Sequence, residues 1–298
     1  MSLQLKRVAV IGFGEAGSIL GEDLAKAGLE VAMYDVLLEA RESREAMLRK
    51  AAAAQVCSAA SSAEAVAGSD LTISAVTASS SQAAAAACAP ALRGGQLFLD
   101  INSVAPATKR ATARIVERTG ADYVEAAVMA PVPPQRLAVA MLLGGRRATE
   151  LAAALRELGM STTAIADEVG IASAVKMCRS ILIKGLEALT LESMLAARHF
   201  GAEQQVLASL ERTFPGMGWT AELPDYLVSR IAEHGRRRAA EMREVARTLE
   251  DAGFEPLMAS AIAQRHDALA DAMAAAQVRY ASPFSWRALA DALAAHRT

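Results

Sequence analysis

One stretch limits what this chain can become: RVAVIGFGEAGSILGEDLAKAGLEVAMYD, Arg7 to Asp35. A short apolar run, Val8–Ile11, is followed by glycines at G-x-G-x-x-G spacing, then a helix-like segment, Glu15–Ala27. A second apolar run, Val31–Tyr34, ends at an acid, Asp35, 18 residues after Gly17. Each part has a mechanical reason. Gly12 permits a tight turn, Gly14 lets a pyrophosphate approach the backbone, and Gly17 allows the helix to pack close to the sheet. The helix start offers free N–H groups and the positive end of its dipole to phosphates. A carboxylate at Asp35 accepts from both ribose hydroxyls and repels a 2′-phosphate. The stretch therefore predicts a dinucleotide site, with NAD favoured and NADP kept as the alternative because Arg41 lies nearby in sequence. The predicted cofactor residues are Gly12, Phe13, Gly14, Glu15, Ala16, Gly17 and Asp35, with Val76 and Thr77 after a later strand. The competing explanation is a domain of the same shape that has lost its ligand.

The pattern continues to about residue 165. Apolar runs at Leu71–Ser74, Leu97–Leu99, Tyr123–Val128 and Val139–Leu143 alternate with helix-like stretches at Leu38–Ala54, Ser79–Ala89, Ala107–Thr119 and Thr149–Leu158. Alternating β and α units predict a doubly wound, mostly parallel Rossmann-type sheet. After Gly170 the strand signal stops. Ile171–Phe200 reads as one long apolar helix, and Pro215, Gly216, Gly218 and Pro224 mark a loop. Tyr226–Ala252, Pro256–Ala276 and Pro283–His296 read as three more helices. The predicted fold is α/β followed by an all-α part, with domains at residues 1–168 and 169–298.

Composition removes several classes of function. A net charge of −2 gives no general reason to bind nucleic acid or an acidic membrane surface. The uncharged run Leu71–Leu92 carries too many hydroxyls, with Gln82 and Pro90, to span a bilayer. Lys6 and Arg7 before an apolar run imitate a signal peptide, but Glu15, Glu22 and Asp23 follow at once, so export is not expected. Three scattered cysteines, Cys57, Cys88 and Cys178, fit reduced thiols in the cytoplasm. The four histidines lack ligand spacing, and no metal site is predicted. Arg236-Arg237-Arg238, with Glu233, Glu241 and Glu244 around it, reads as a solvated, ion-paired helix face.

The segment FLDINSVAPATKRATARI (Phe98–Ile115) delivers Asp100, Asn102 and Ser103 to the carboxyl end of a strand, where open α/β sheets bind ligands. From spacing alone, Asn102 and Ser103 serve equally well as helix caps. YVEAAVMAPVP (Tyr123–Pro133), VAMLLGG (Val139–Gly145) and GIASAVKMCRSILIKGLEAL (Gly170–Leu189) follow in order. Over about the first 200 residues this set resembles the β-hydroxyacid dehydrogenase family, which includes 3-hydroxyisobutyrate and 6-phosphogluconate dehydrogenases. Gly12–Gly17 looks like its glycine fingerprint, Asp100–Pro106 like its D-x-S-T-x-x-P segment, and the run around Lys176 like its catalytic helix. Glu233–Gly253 resembles a divergent, phosphogluconate-dehydrogenase-like branch.

The resemblance implies hydride transfer between NAD(P) and a 3-hydroxy acid, in a cleft between the two domains, with Lys176 as general acid/base. Asn102 and Ser103 would hold the substrate carboxylate, and Ser180 would orient the lysine or the substrate. Three departures stand out. The family's S-G-G substrate loop falls at Met129-Ala130-Pro131, so Met129 and Ala130 are expected substrate contacts without the family's side-chain roles. Ser180 replaces the asparagine four residues after the lysine, and Ala16 replaces a methionine of the glycine loop.

Taken on its own, a lysine between Val175 and Met177 either snorkels to water or is buried and tuned as a base. Lys184 and Arg179 either meet an acidic substrate or pair with Glu187 or another acid. The expected partners are a small acidic substrate and a second copy of the chain, docked through the helical half. Two rival functions share the architecture: an imine or pyrroline-carboxylate-type reductase, and a non-catalytic NAD-binding protein.

Overall fold

The computed structural model describes residues 3–296, and the chain divides into two compact units, one ending at Lys176 and the other beginning at Met177. The first is built on eight strands: β1 (Arg7–Ile11), β2 (Glu30–Tyr34), β3 (Cys57–Ser58), β4 (Leu71–Ser74), β5 (Leu97–Asp100), β6 (Asp122–Val128), β7 (Met141–Gly144) and β8 (Thr162–Ala166). Their order is β3-β2-β1-β4-β5-β6-β7-β8. All pairs are parallel except β6 with β7. β4 and β5 are buried at every position, as central strands covered on both faces are, with Thr72, Ser74 and Asp100 buried among the apolar residues.

Between the strands lie α1 (Glu15–Lys26), α2 (Arg41–Ala53), α3 (Ser62–Val66), α4 (Ser81–Cys88), α5 (Pro106–Glu117), the one-turn α6 (Val132–Gln135) and α7 (Ala148–Glu157). α1 turns Gly17, Leu20, Gly21 and Leu24 inward, the i, i+3, i+4, i+7 stripe of a helix lying on a sheet. Pro106 opens α5 at a position where its missing N–H costs nothing.

α8 (Ile171–His199) begins in the first unit and runs into the second. The second unit continues with α9 (Glu203–Thr213), α10 (Leu223–Asp251), α11 (Leu257–Ala275) and α12 (Trp286–His296). The sequence predicts only three helices after α8. α9 is the addition; Gly201 before it and Pro215-Gly216 after it draw the whole segment toward a loop reading. Pro224 lies in the first turn of α10 rather than in the loop. α10 is interrupted at His234 (φ −130°, ψ 17°), and just beyond it Gly235 lies against the His266 carbonyl of α11, 3.1 Å from where a Cβ would stand. Trp286, Leu289 and Leu293 of α12 pack with Leu227 and Ile231 of α10 in the unit's larger core.

The Arg236–Arg238 run departs from the predicted pairing along its own helix. Arg236 reaches Asp267 and Asp271 of α11, and Arg238 forms a buried pair with Glu187 of α8. Burial holds the Glu187 carboxyl above the usual carboxylate range, against the opposing pull of Arg238. No helix among the described residues is long and apolar enough to cross a membrane.

Candidate active site

The sheet reverses its winding at β1, between β2 and β4, and the glycine loop leaves β1 at that switch point. Gly12 has φ +88°, and a side chain there would strike the Ala75 carbonyl and Val76 at the end of β4. A Cβ at Gly17 would collide with the Gly12 carbonyl. Gly14 is different. It is exposed, and a Cβ there would meet nothing within 4 Å. The first turn of α1 thus presents bare backbone to space, which is the cradle a pyrophosphate requires.

Asp35 closes this loop from the end of β2. Its Oδ2 accepts from the Phe13 N–H at 2.6 Å and its Oδ1 from the Leu37 N–H at 2.9 Å. The carboxylate is therefore fixed beside the glycines, with lone pairs left over for hydroxyl donors. Val36 and Leu37 follow it as exposed apolar side chains. These residues fit a dinucleotide: bare backbone for phosphates, a fixed acid for a ribose, and apolar surface beside it for a base. Arg41 is exposed at the start of α2. Phe13 packs its ring fully into the core, and Ala16 is half-buried on α1.

At the ends of β4 and β5 a polar network replaces the apolar core. Asn102 Oδ1 accepts from the Val76 N–H at 2.7 Å, and its Nδ2 donates to Ser74 Oγ at 2.9 Å. This ties two predicted site residues, Val76 and Asn102, to each other. Thr77 is exposed and shares hydroxyl contacts with Ser79 and Ser80. Beneath Asn102 lies a buried triad. Lys109 Nζ stands 3.0 Å from Asp100 Oδ1, and the Tyr123 hydroxyl donates to Asp100 Oδ2 at 2.7 Å. Both members of the ion pair are essentially without solvent contact. Burial, then the Asp100 charge, push the Tyr123 hydroxyl well above its ordinary range. Ser103, one residue past Asn102, is half-buried at the turn into α5.

A second buried carboxylate sits on β6. Glu125 Oε1 accepts from the backbone N–H groups of Gly170 (2.7 Å) and Ala172 (2.9 Å), and Oε2 from Ser173 at 3.4 Å. These are the free N–H groups that open α8. A Cβ on Gly144 would come 2.7 Å from Glu125 Oε1, so the bare backbone of β7 makes room for the acid. Just over one turn beyond Ala172, the helix carries Lys176, which is half-buried. Met129 and Ala130 are half-buried just past the end of β6, and the Met129 N–H donates to the Ala140 carbonyl.

Comparison with known proteins decides the family. A model described as the NAD binding domain of 6-phosphogluconate dehydrogenase matches residues 7–166, over half the chain. The chain belongs to the 6-phosphogluconate dehydrogenase-like β-hydroxyacid dehydrogenase family. A second model, a domain of unknown function, matches residues 197–269. Human mitochondrial 3-hydroxyisobutyrate dehydrogenase is 26% identical over 220 residues, covering 72% of this chain and 64% of that enzyme. The structure of a conserved hypothetical protein from Sinorhizobium meliloti is 35% identical, covers 98% of this chain and 97% of its own, and superimposes with a TM-score of 0.79. A Mycobacterium tuberculosis 3-hydroxyisobutyrate dehydrogenase shares the fold at a TM-score of 0.75 and 18% identity, covering 97% of this chain and 99% of its own.

This β-hydroxyacid dehydrogenase-type chain thus has the fold of an NAD(P)-dependent oxidoreductase, with NAD as its cofactor. Within its first unit, Gly12–Gly17, Asp35, Val76 and Asn102 form one connected group at the strand ends. Lys176 belongs to the same unit, on the helix that Glu125 anchors. Ser180 belongs to the second unit, where Lys184 Nζ donates to its Oγ at 3.3 Å and pairs with Glu241 at 3.0 Å. Lys184 therefore takes the acid-pairing alternative, with Glu241 rather than Glu187 as its acid.

Sequence reasoning missed three residues that shape the site. Lys109 carried a usable signal, a lysine on the inward face of an amphipathic helix three residues after Pro106. Glu125 carried a weaker one, an acid in the middle of an apolar strand. Lys50 carried none; its ammonium donates to the Phe13 and Gly14 carbonyls, 37 and 36 residues away in sequence.

Proposed function

We propose that this protein transfers hydride between the nicotinamide ring of NAD(P) and the carbinol carbon of a 3-hydroxy acid, with Lys176 as general acid/base. The observation that carries this reading is the anchorage of α8. Its first N–H groups are bound by Glu125 of the central sheet, which holds the turn bearing Lys176 in fixed register with β6. NAD, when bound, supplies the hydride acceptor, or the donor in the reverse direction. Lys176 takes the hydroxyl proton as hydride leaves the carbon in oxidation and returns it in reduction. Asn102 and Ser103 offer an amide and a hydroxyl to the substrate carboxylate, Ser180 a further hydroxyl, and Met129 and Ala130 shape the substrate loop.

A small acidic substrate suits this set, and a second copy of the chain suits the apolar face of α8. Leu182 (73% exposed), Leu186 and Leu189 (60% exposed) recur there at i, i+4, i+7 spacing. Light scattering at micromolar concentration is expected to give a dimer; a monomer would refute that part.

The activity test is spectrophotometric, with NAD and NADP against 3-hydroxy acids that include sugar acids and β-hydroxy amino acids. Turnover is expected on at least one of them. Lys176→Ala is expected to abolish it, a loss of at least about 100-fold for a general base, while NADH binding stays nearly intact. Retained turnover in Lys176→Ala would overturn the assignment, and turnover of cyclic imines insensitive to that change would favour the reductase.

A further inference from the structure

We infer that Lys50 sets the affinity of the glycine loop for the dinucleotide, acting from behind the loop without touching the pyrophosphate. Three observations carry this. Lys50 Nζ donates to the carbonyl oxygens of both Phe13 and Gly14 at 2.8 Å. The same ammonium stands 5.6 Å from the centre of the buried Phe13 ring. On the neighbouring peptide, the Phe13 N–H is held by Asp35. The loop backbone is thus clasped from α2 by a cation and from β2 by an anion.

The chemistry follows from the shape of a peptide unit. In a trans peptide the C=O and the N–H point in opposite directions. The Phe13 carbonyl shares its unit with the Gly14 N–H, and the Gly14 carbonyl shares its unit with the Glu15 N–H. Those two N–H groups open α1 and belong to the set that a helix leaves free for an anion. A cation bound at the oxygen end of each unit polarises it toward its N–H end, and coupled hydrogen bonds strengthen one another. Lys50 therefore sharpens the donors on the opposite side of the loop.

Charge balance makes this contribution necessary. Glu15 is exposed in the first turn of α1, and Asp35 stands beside Phe13. Both acids oppose a dianionic pyrophosphate at this helix end. Lys50 is the cation seated on the loop against them. Because its donors are directed into loop carbonyls, it favours NAD and NADP alike and does not read the 2′-position.

The inference rests on dinucleotide binding at this loop, which titration of the wild-type protein with NADH tests by itself; failure there would refute the binding and not merely the role of Lys50. The test proper compares Lys50→Met, Lys50→Gln and Lys50→Arg by NADH fluorescence, with NADPH titrated in parallel. The Met and Gln variants are expected to raise Kd about tenfold for both nucleotides, and Arg to stay within about threefold of wild type. Unchanged NADH affinity in both the Met and Gln variants would overturn the proposal. So would a loss confined to NADPH, which would place Lys50 at the 2′-phosphate. An Arg variant as weak as Met would mean that shape and not charge is at work, and would overturn it too.

Discussion

Two acids at the candidate site in the sheet unit are neutralised differently from several acids packed between the helices of the second unit. In the sheet unit, Asp35 and Glu125 end on backbone N–H groups, from Phe13 and Leu37 in one case and from Gly170, Ala172 and Ser173 in the other. In the helical unit several acids between helices end on arginines: Glu187 on Arg238, Asp267 on Arg236 and Arg243, and Glu203 and Asp291 on Arg198. The cause is the geometry of each fold. Strand ends and helix starts leave N–H groups free, and a doubly wound sheet gathers them along one edge. Long helices use theirs internally, so an acid between them needs a cation from another side chain. The lesson concerns function. Free N–H groups that hold a carboxylate also hold a phosphate, so the sheet unit is built for anionic ligands. Side-chain pairs between helices fix register.

The largest effect should come from Lys109, whose pair with Asp100 is a fully buried use of a side-chain cation within the sheet unit. Lys109→Met leaves Asp100 buried with only Tyr123 and the Asn102 N–H as donors. The expected cost is about 3–5 kcal/mol by denaturant unfolding. Adding Asp100→Asn should recover part of it, and additive losses would show that the pair is not coupled.

His266 tests the helical unit. It is fully buried on α11, and burial lowers its pKa to about 4, helped by Arg238 and Lys184 and opposed by Asp267. The unfolded chain therefore binds a proton between pH 6.5 and about 4 that the folded chain refuses. The stability from a neutral His266 is complete above pH 6.5 and falls as pH drops toward 4, by up to about 3 kcal/mol. The pH dependence of the melting temperature in that window should flatten in His266→Leu; an unchanged slope would mean that other groups carry it.

The smallest effect concerns Glu15. Removing its charge takes away an acid that competes with phosphate for the start of α1. Glu15→Gln should tighten NADH binding about two- to fivefold in a fluorescence titration. Weaker binding would mean that Glu15 assists the nucleotide, and the contrast between backbone and side-chain neutralisation would lose its simplest form.

What could be read from the sequence follows the range of the interactions. β1, β2, β4 and β5 are largely buried on both faces, so runs such as Val8–Ile11 announce themselves. The glycine loop is legible because its constraints act within a few residues. β3 has two residues and no apolar signal, and β8 places its one large apolar side chain, Ile165, at an exposed position among threonines and alanines. Both are strands by virtue of their neighbours rather than their own composition. α3 is too short to show a period. In the site, Asp35 comes from motif spacing and Lys176 from the family resemblance, whereas the Lys50 contact to Phe13 and the Glu125 contact to Gly170 join residues tens of positions apart. The Arg236–Arg238 run shows the same limit. Its helix was legible and its partners on α8 and α11 were not.

The seating of Glu125 under the start of α8 has a consequence for how such a chain diversifies. The anchor lies in the interior of β6, whereas the Met129-Ala130-Pro131 segment lies beyond the strand's end. Selection can rewrite that segment, and with it the substrate contacts proposed for Met129 and Ala130, without disturbing the register of the helix that bears Lys176. Innovation at one end of a strand is insulated from inheritance in its middle.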